Sequence, residues 1–207
     1  MSSPDRIANL LVSTGCYVHK SQTGKLIKVP TGEEVLAYLS CRKLISMVDE
    51  REEVEESLIQ SVRDSFDVEK LSVAGIATAG IPWGYAIAAN TRRPFAYVRS
   101  NVKGYGIGGL VEGNIPDLTD EAILVDDVVY SGESVIASQK ALESQNIKTV
   151  GVVCIATLGT TMVSTLSNQG VKLVSLTNYN NLLDAASEKQ VLNHQEVRVM
   201  RKIYEGK

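Results

Sequence analysis

The stretch Ala122–Ser134 constrains the fold of this chain more than any other part of the sequence. It begins with an apolar run that ends at Val125, followed by the adjacent carboxylates Asp126 and Asp127. Two more valines then lead to Tyr-Ser-Gly-Glu-Ser at 130–134, and apolar residues recur at helical spacing from there on. This order predicts a buried strand, a loop and the start of a helix.

The predicted helix start is a potential anion site, because its first N–H groups have no intrahelical partner and lie at the positive end of the helix dipole. Ser131 and Ser134 add hydroxyl donors, and Gly132 allows close backbone approach. The alternative is a plain Gly/Ser helix cap. Two consecutive aspartates beside a buried strand are costly to keep, however, and they would face hydroxyls or a metal at the carboxyl edge of a sheet. The pattern therefore favours a sugar phosphate site.

Composition excludes several classes of protein. The formal net charge of −3 gives no basic excess for coating nucleic acid. The N-terminus lacks a signal pattern, and the longest apolar run, Val150–Ala156, is too short to span a bilayer. The three cysteines are scattered without metal-ligand spacing, as in reduced proteins. We expect a cytoplasmic protein that binds neither membrane nor nucleic acid.

Strand and helix patterns alternate from Leu71 onward, after an amphipathic helix whose apolar residues end near Phe66. Pro82 is placed to begin the helix after the first strand. Alternation of this kind predicts an α/β fold with a five-stranded parallel sheet and helices on both faces. The five predicted strands are Leu71–Ile76, Phe95–Val98, Ile123–Val125, Val150–Ala156 and Lys172–Thr177.

The segment Ile123–Ser134, ILVDDVVYSGES, resembles the signature of type I phosphoribosyltransferases: apolar residues, two acids, then Thr/Ser-Gly-x-Ser/Thr. Gly75–Pro82 and Pro94–Gly106 resemble the orotate phosphoribosyltransferase branch. The resemblance covers nearly the whole chain and implies the type I phosphoribosyltransferase fold, in which a small hood of N- and C-terminal segments covers the sheet. It implies a single domain over 1–207, with an N-terminal hood and helix over 1–66, a core sheet over 67–178 and C-terminal helices over 179–207.

The resemblance also implies a set of residues that bind phosphoribosyl pyrophosphate. The acids would bind the ribose hydroxyls, residues 131–134 the 5-phosphate, and the turn after the first strand the pyrophosphate. The implied set is Thr78, Ala79, Gly80, Arg99, Lys103, Tyr105, Asp126, Asp127, Val128, Val129, Tyr130, Ser131, Gly132, Glu133 and Ser134. Lys103, Asp126 and Asp127 are the implied catalytic residues. Mg²⁺ would be carried by the substrate, without a direct protein ligand.

Arg99 and Lys103 open a glycine-rich segment, and such cations suit either a lid that closes over a polyanion or an ordinary solvated loop. The resemblance favours the lid, which in the family closes over pyrophosphate, usually in the neighbouring subunit of a homodimer. Tyr105 stands where family members usually have His, which removes a possible cation and proton donor.

The base-binding motif departs from the family pattern. Orotate enzymes usually carry Ser-Gly-x-Lys-Ser-Pro-x-Tyr-x-Asp-x-Arg, where this chain has residues 31–42. Gly32, Tyr38 and Arg42 match, but Glu34 replaces the lysine. The implied base-binding residues are Glu34, Tyr38 and Ser131. A carboxylate beside anionic orotate costs roughly 1 kcal/mol or more, unless Glu34 faces water as most glutamates do.

The implied reaction joins orotate to phosphoribosyl pyrophosphate, giving orotidine 5-monophosphate and pyrophosphate in pyrimidine nucleotide biosynthesis. The anomeric carbon would pass through an oxocarbenium-like state, by analogy with glycoside cleavage. Two alternatives stay open: a related enzyme for a neutral or amino-bearing base, and a non-catalytic regulator that binds phosphoribosyl pyrophosphate.

Overall fold

The computed structural model describes residues 3–29, 32–99 and 109–205. Within these ranges the helices are α1 Ser3–Ser13, α2 Lys20–Thr23, α3 Val48–Ser65, α4 Gly80–Thr91, α5 Glu133–Glu143, α6 Thr161–Asn168, α7 Tyr179–Glu188 and α8 His194–Glu205. The strands are β1 Tyr17–His19, β2 Ile27–Lys28, β3 Glu34–Val35, β4 Ala37–Leu39, β5 Leu71–Ile76, β6 Phe95–Val98, β7 Val111–Glu112, β8 Glu121–Val129, β9 Lys148–Thr157 and β10 Lys172–Asn178. Among the described residues, no helix combines the length and apolar character needed to cross a membrane.

The main sheet has the strand order β10-β9-β8-β5-β6-β7. Five of its strands are parallel, as the alternating pattern predicts, and β5 and β6 have the predicted bounds. The sixth strand, β7, runs antiparallel to β6 at the sheet edge. Sequence reasoning missed β7 because two residues are too few to show a strand period.

Two hydrophobic cores cover the two faces of the sheet. One core contains buried residues of α1, α3, α4, α7 and α8, and the other contains those of α5 and α6. The α3 residues Val54, Leu58 and Val62 are fully buried, which is the stripe that their spacing predicts. The strands β8 and β9 lie inside the sheet, each between two other strands, and are buried over most of their length.

Two predicted boundaries near the site are wrong. The helix α4 begins at Gly80 rather than at Pro82, so Pro82 lies within its first turn, where its missing N–H costs little. The strand β8 continues to Val129, so Asp126 and Asp127 lie within the strand rather than in the loop after it. Parallel pairing with β9 continues past Asp126, which pairs with Cys154, and keeps the backbone extended there.

The terminal segments pack next to each other on one face of the sheet. The short strands β1 and β4 pair antiparallel, and β2 and β3 form a separate antiparallel pair. Helix α1 packs against α7 and β10, and α7 packs against α8. The Asn178 side chain accepts N–H bonds from Asn180 and Asn181 and so caps the start of α7.

Candidate active site

The site lies where the direction of the sheet changes. From β5 the chain continues to β6 on one side, whereas β8 continues to β9 and β10 on the other, although β5 and β8 are neighbours. Open α/β sheets bind ligands in the crevice at the carboxyl ends of the strands at such a point. The turn Thr78–Ala79 follows β5, and Asp126–Ser134 includes the end of β8 and its loop. The structure thus brings these two predicted segments together.

Gly80 sets the distance between these two segments. A Cβ built on Gly80 would lie 2.1 Å from the carbonyl oxygen of Val125 and 3.0 Å from the Cα of Asp126. Only glycine permits this approach of α4 to β8. Thr78 is exposed while Ala79 and Gly80 are buried, and the peptide bond between Ala77 and Thr78 is cis. The residue after this turn, Gly80, therefore lies directly beside the strand that carries the carboxylates.

The two acids are both buried and bonded to the backbone of their own strand. Asp126 is 8% exposed and Asp127 is 9% exposed. The Asp127 N–H donates to Oδ1 of Asp126 at 2.9 Å, and the Val128 N–H donates to Oδ1 of Asp127 at 2.8 Å. The Ser134 hydroxyl lies 3.4 Å from Oδ2 of Asp126. Each carboxylate keeps acceptor capacity for a ligand hydroxyl.

Burial raises the pKa of both carboxyl groups. Desolvation and then the charge of Asp127 raise the pKa of Asp126 to about 7. Desolvation also raises the pKa of Asp127, against the lowering effect of the Val128 N–H and the Arg42 guanidinium. Asp126 therefore takes up a proton near neutral pH more readily than a solvent-exposed aspartate.

The predicted 5-phosphate site, residues 131–134, is called the phosphate cradle below. It is a loop that ends at the start of α5. Gly132 has a positive φ of 77° and precedes α5 as its N-cap, and no side chain among the described residues caps this helix start. Ser131, Glu133 and Ser134 are exposed at the surface of the loop. The N–H groups of the first turn thus stay available for an anion.

The residues between the acids and the cradle alternate in direction. Val129 is buried in the core, whereas Val128 and Tyr130 are partly buried and line a cavity beside the acids. The alternation follows from the extended strand that ends at Val129.

Arg99 lies at the end of β6, where the structure pairs it with Glu112 of β7. The Nη1 of Arg99 lies 3.2 Å from Oε1 of Glu112, and the Arg99 N–H donates to the Leu110 carbonyl at 2.8 Å. Lys103 and Tyr105 lie outside the described residues, so their predicted roles stay predictions. The edge strand β7 thus holds Arg99, which is predicted to bind pyrophosphate, through an ion pair.

A cavity of about 590 Å³ lies between the carboxyl edge of the sheet and the terminal segments. Two predicted base-binding residues, Glu34 and Tyr38, line it, whereas Ser131 does not. Thr31, the start of the altered motif, lies outside the described residues. The other lining residues are Val29, Glu33, Val35, Leu36, Ala37, Leu39, Arg42, Asp127, Val128, Tyr130, Leu158, Met200, Ile203 and Tyr204. Its size is that of a small-molecule site.

Sequence reasoning missed the α8 residues Met200, Ile203 and Tyr204 in this cavity. Their spacing of three and four residues predicts one apolar helix face. That spacing does not show what the face packs against, because the contact joins the end of the chain to β8.

The described residues include no cluster of three or more His, Cys, Asp or Glu side chains that could hold a metal ion. Mg²⁺ commonly binds through one or two carboxylates together with substrate phosphates. A Mg²⁺ ion carried by the phosphates of a diphosphate substrate needs no such cluster, and the acceptor oxygens of Asp126 and Asp127 then stay available for ribose hydroxyls.

Paired acids and an open helix start at the switch point of a mostly parallel sheet define a protein that binds a phosphorylated sugar. The family model described as phosphoribosyl transferase domain matches residues 47–177. The chain belongs to the phosphoribosyltransferase family, in its orotate phosphoribosyltransferase branch.

Sequence and structural relatives agree with this assignment. The chain is 32% identical over 170 residues to a protein of Lactococcus lactis subsp. cremoris named orotate phosphoribosyltransferase, covering 82% of this chain and 80% of that one. The fold is similar to the crystal structure of orotate phosphoribosyltransferase from Aeropyrum pernix, with a TM-score of 0.74, 24% identity and coverage of 88% and 98%. It is also similar to Leishmania donovani UMP synthase, with a TM-score of 0.77, 18% identity and coverage of 97% of this chain but 42% of that one. These relatives confirm the predicted fold class.

Proposed function

We propose that this protein transfers the phosphoribosyl group of phosphoribosyl pyrophosphate to orotate, giving orotidine 5-monophosphate and pyrophosphate. The observation that carries the proposal is the position of Asp126 and Asp127, which lie between the turn after β5 and the open start of α5. These elements offer separate sites for pyrophosphate, ribose and 5-phosphate. The names of the relatives support orotate as the base.

The reaction breaks the bond between the anomeric carbon and the pyrophosphate oxygen and forms a bond to a ring nitrogen of the base. Positive charge develops on the ribose as this happens. The buried carboxylates of Asp126 and Asp127 stabilise that charge when ionised, and Arg99 with Lys103 stabilises the leaving anion. Mg²⁺, bound with the substrate, would supply further charge neutralisation.

A direct test is to incubate the protein with phosphoribosyl pyrophosphate, MgCl₂ and single bases, and to measure pyrophosphate release. We expect orotate to support turnover and Asp126→Asn with Asp127→Asn to abolish it, while the double variant keeps the wild-type fold by circular dichroism. Tight binding of phosphoribosyl pyrophosphate without turnover of any base would contradict the proposal and support the regulator.

A second candidate, a phosphoribosyltransferase for a neutral or amino-bearing base, is favoured by the charge of the cavity. Glu33, Glu34 and Asp127 line it together with a single described cation, Arg42. The Arg42 charge is already directed at Asp127, whose pKa it lowers against the effect of burial. The same assay with uracil, cytosine and adenine decides between the two candidates.

We also propose that the chain is a single domain that works as a homodimer in the cytoplasm. Tyr85 of α4 is 62% exposed, and an exposed aromatic side chain of this size is a candidate contact between two protomers. All three cysteines are free, which supports a reducing compartment. Sedimentation equilibrium with Tyr85→Glu tests the dimer.

A further inference from the structure

The C-terminal helix forms one wall of the base cavity. Met200, Ile203 and Tyr204 line the cavity from α8, together with residues contributed by β3 and β4. Met200 and Tyr204 are buried at 2% and 4% exposure, whereas Val199 on the same helix is 45% exposed. Val199 lies one turn before Ile203 and so borders the face that lines the cavity, whereas the exposed Arg198 lies on the other side of the helix.

Tyr204 joins this wall to the loop of the sugar site. Its ring meets the ring of Tyr130 edge-on, with centroids 6.3 Å apart and planes at 88°. It also contacts Tyr179 at the start of α7, with centroids 5.8 Å apart and planes at 51°. Edge-to-face aromatic pairs at these distances are favourable and restrict ring orientation. Tyr130 lines the same cavity as the α8 residues, so its orientation affects the space for the base.

The hydroxyl of Tyr204 lies in a dry environment. Tyr17 is fully buried, and its hydroxyl has no hydrogen-bond partner among the described residues. It lies close enough to the Tyr204 hydroxyl for the two groups to interact electrostatically. Burial raises the pKa of both tyrosines, so both stay neutral at physiological pH. The contribution of Tyr204 to the cavity is therefore its ring and its volume rather than a charge.

Polar contacts near its start fix α8 in place. The Asn193 side chain accepts the N–H groups of Gln195 and Glu196 at 2.9 Å, and Glu196 in return accepts the Asn193 N–H at 2.9 Å. The second oxygen of Glu196 lies 3.9 Å from Nδ1 of the buried His19. This reciprocal cap is a stabilising helix start, and it ties α8 to β1.

A second attachment lies further along the helix. Arg201 bonds to Asn180 and lies 3.3 Å from Asp184, so it ties α8 to α7. With attachments on both sides of Met200, the wall is held at a fixed distance from the acids.

We propose that α8 sets the size of the base pocket, with Ile203 as a specificity-determining residue and Tyr204 as a positioning residue that holds Tyr130. This inference takes one assumption from the proposed function, which is that the cavity holds the base. Ile203 limits the space for substituents on the base. Tyr204 orients Tyr130, which lines the same cavity between the acids and the cradle.

The first test enlarges the cavity at a partly buried position. Ile203→Ala should raise the ratio of kcat/KM for 5-methylorotate to that for orotate by about tenfold, the discrimination expected of one methyl group in an apolar pocket. Arg198→Ala, at an exposed position on the other side of the same helix, should leave that ratio unchanged. An unchanged ratio in Ile203→Ala would overturn the role of Ile203.

The second test separates positioning from folding. Tyr204→Phe keeps the ring contacts and should have a wild-type KM for the base. Tyr204→Leu removes them and should raise the KM for the base by about tenfold, with the dissociation constant of ribose 5-phosphate changed by less than about twofold. If the KM for the base and the dissociation constant of ribose 5-phosphate rose equally in Tyr204→Leu, or if neither changed, a positioning role would be contradicted. If Tyr204→Leu does not fold, the same comparison is made with Tyr130→Leu, which is less buried.

A readout without turnover distinguishes failure of this inference from failure of the proposed function. If the wild type released pyrophosphate with none of the bases, the proposed function would fail. Calorimetric binding of uridine 5-monophosphate and of its 5-methyl analogue to wild type and Ile203→Ala would then still test the cavity. A relative gain for the 5-methyl analogue in Ile203→Ala supports the α8 wall, and no relative gain overturns it.

Discussion

The Cα of Gly80 packs directly against the carbonyl group of Val125, so a side chain at position 80 would overlap the backbone of β8. This contact joins the start of α4 to the strand that carries both acids. The turn beside Thr78 and the carboxylate of Asp126 are therefore held at a fixed separation by backbone atoms alone. We expect the distance between the pyrophosphate and ribose parts of the site to depend on this glycine.

Gly80→Ala should destabilise the protein and weaken catalysis together. The added Cβ would lie 2.1 Å from a backbone oxygen, and inserting atoms into a packed region costs roughly 1–3 kcal/mol or more. Urea unfolding measures the first effect and kcat/KM for phosphoribosyl pyrophosphate the second. Gly24→Ala is strained by the positive φ of 72° but its Cβ would meet no atom within 4 Å, so this variant is the control for a destabilising glycine substitution outside the site and should keep wild-type kcat/KM. Wild-type stability of Gly80→Ala would contradict the contact.

Asp126 makes the stability of the ligand-free protein depend on pH. Its pKa is raised to about 7 in the folded state, above its value in the unfolded chain, so its stabilising effect is complete at acid pH and is lost as the pH rises towards 7. Asp126→Asn keeps the acceptor oxygen for the Asp127 N–H and removes the buried charge. We expect it to be more stable than wild type at pH 8 by roughly 2–4 kcal/mol, with no such gain at pH 4.

The measurement is urea unfolding of both proteins between pH 4 and pH 8. Asp120→Asn, which changes an exposed carboxylate just before β8, is the matched control. Equal pH dependence in wild type and Asp126→Asn would show that Asp126 does not titrate in this window.

The parallel sheet could be predicted from the sequence because its strands are short apolar runs and four of the five parallel ones, all but β6, are followed by a helical pattern. The site segments could be predicted because β5 and β8 end in residues that only a ligand site explains well, such as Asp126 and Asp127. The apolar run alone predicts that Asp126 and Asp127 follow the strand, whereas pairing between β8 and β9 keeps both residues within it. The spacing of apolar residues within β8 does not show where its pairing with β9 ends.

Contacts between distant parts of the chain could not be predicted in this way. Arg99 pairs with Glu112 only because β7 folds back along β6. Tyr204 reaches Tyr130 only because α8 returns to the carboxyl edge of the sheet. Each of these contacts depends on the tertiary fold, and a single sequence offers no local signal for it.

The ion pair between Arg99 and Glu112 should compete with pyrophosphate for the guanidinium. Glu112→Gln keeps a hydrogen-bonding side chain and removes the negative charge 3.2 Å from Arg99. Since partly exposed ion pairs contribute at most about 1 kcal/mol, we expect little loss of stability and a gain of about twofold to fivefold in pyrophosphate affinity. Isothermal titration with pyrophosphate measures the gain, and the screening of the pair by added salt should reduce it. Weaker binding by Glu112→Gln would show that Glu112 instead orients Arg99 for the ligand.

The positive φ of Gly132 should be required for the phosphate cradle and not merely for stability. Gly132→Ala places a Cβ in the left-handed region, which costs roughly 1–2 kcal/mol, and any relaxation moves the N–H groups at the start of α5. Gly170→Ala carries a similar strain at φ 71°, with no atom within 4 Å of its Cβ, beyond the far end of α6. Both variants should lose similar stability in urea, but only Gly132→Ala should weaken binding of ribose 5-phosphate, by about tenfold or more if one charge-assisted N–H bond is lost. Equal affinities in the two variants would mean that the phosphate is held elsewhere.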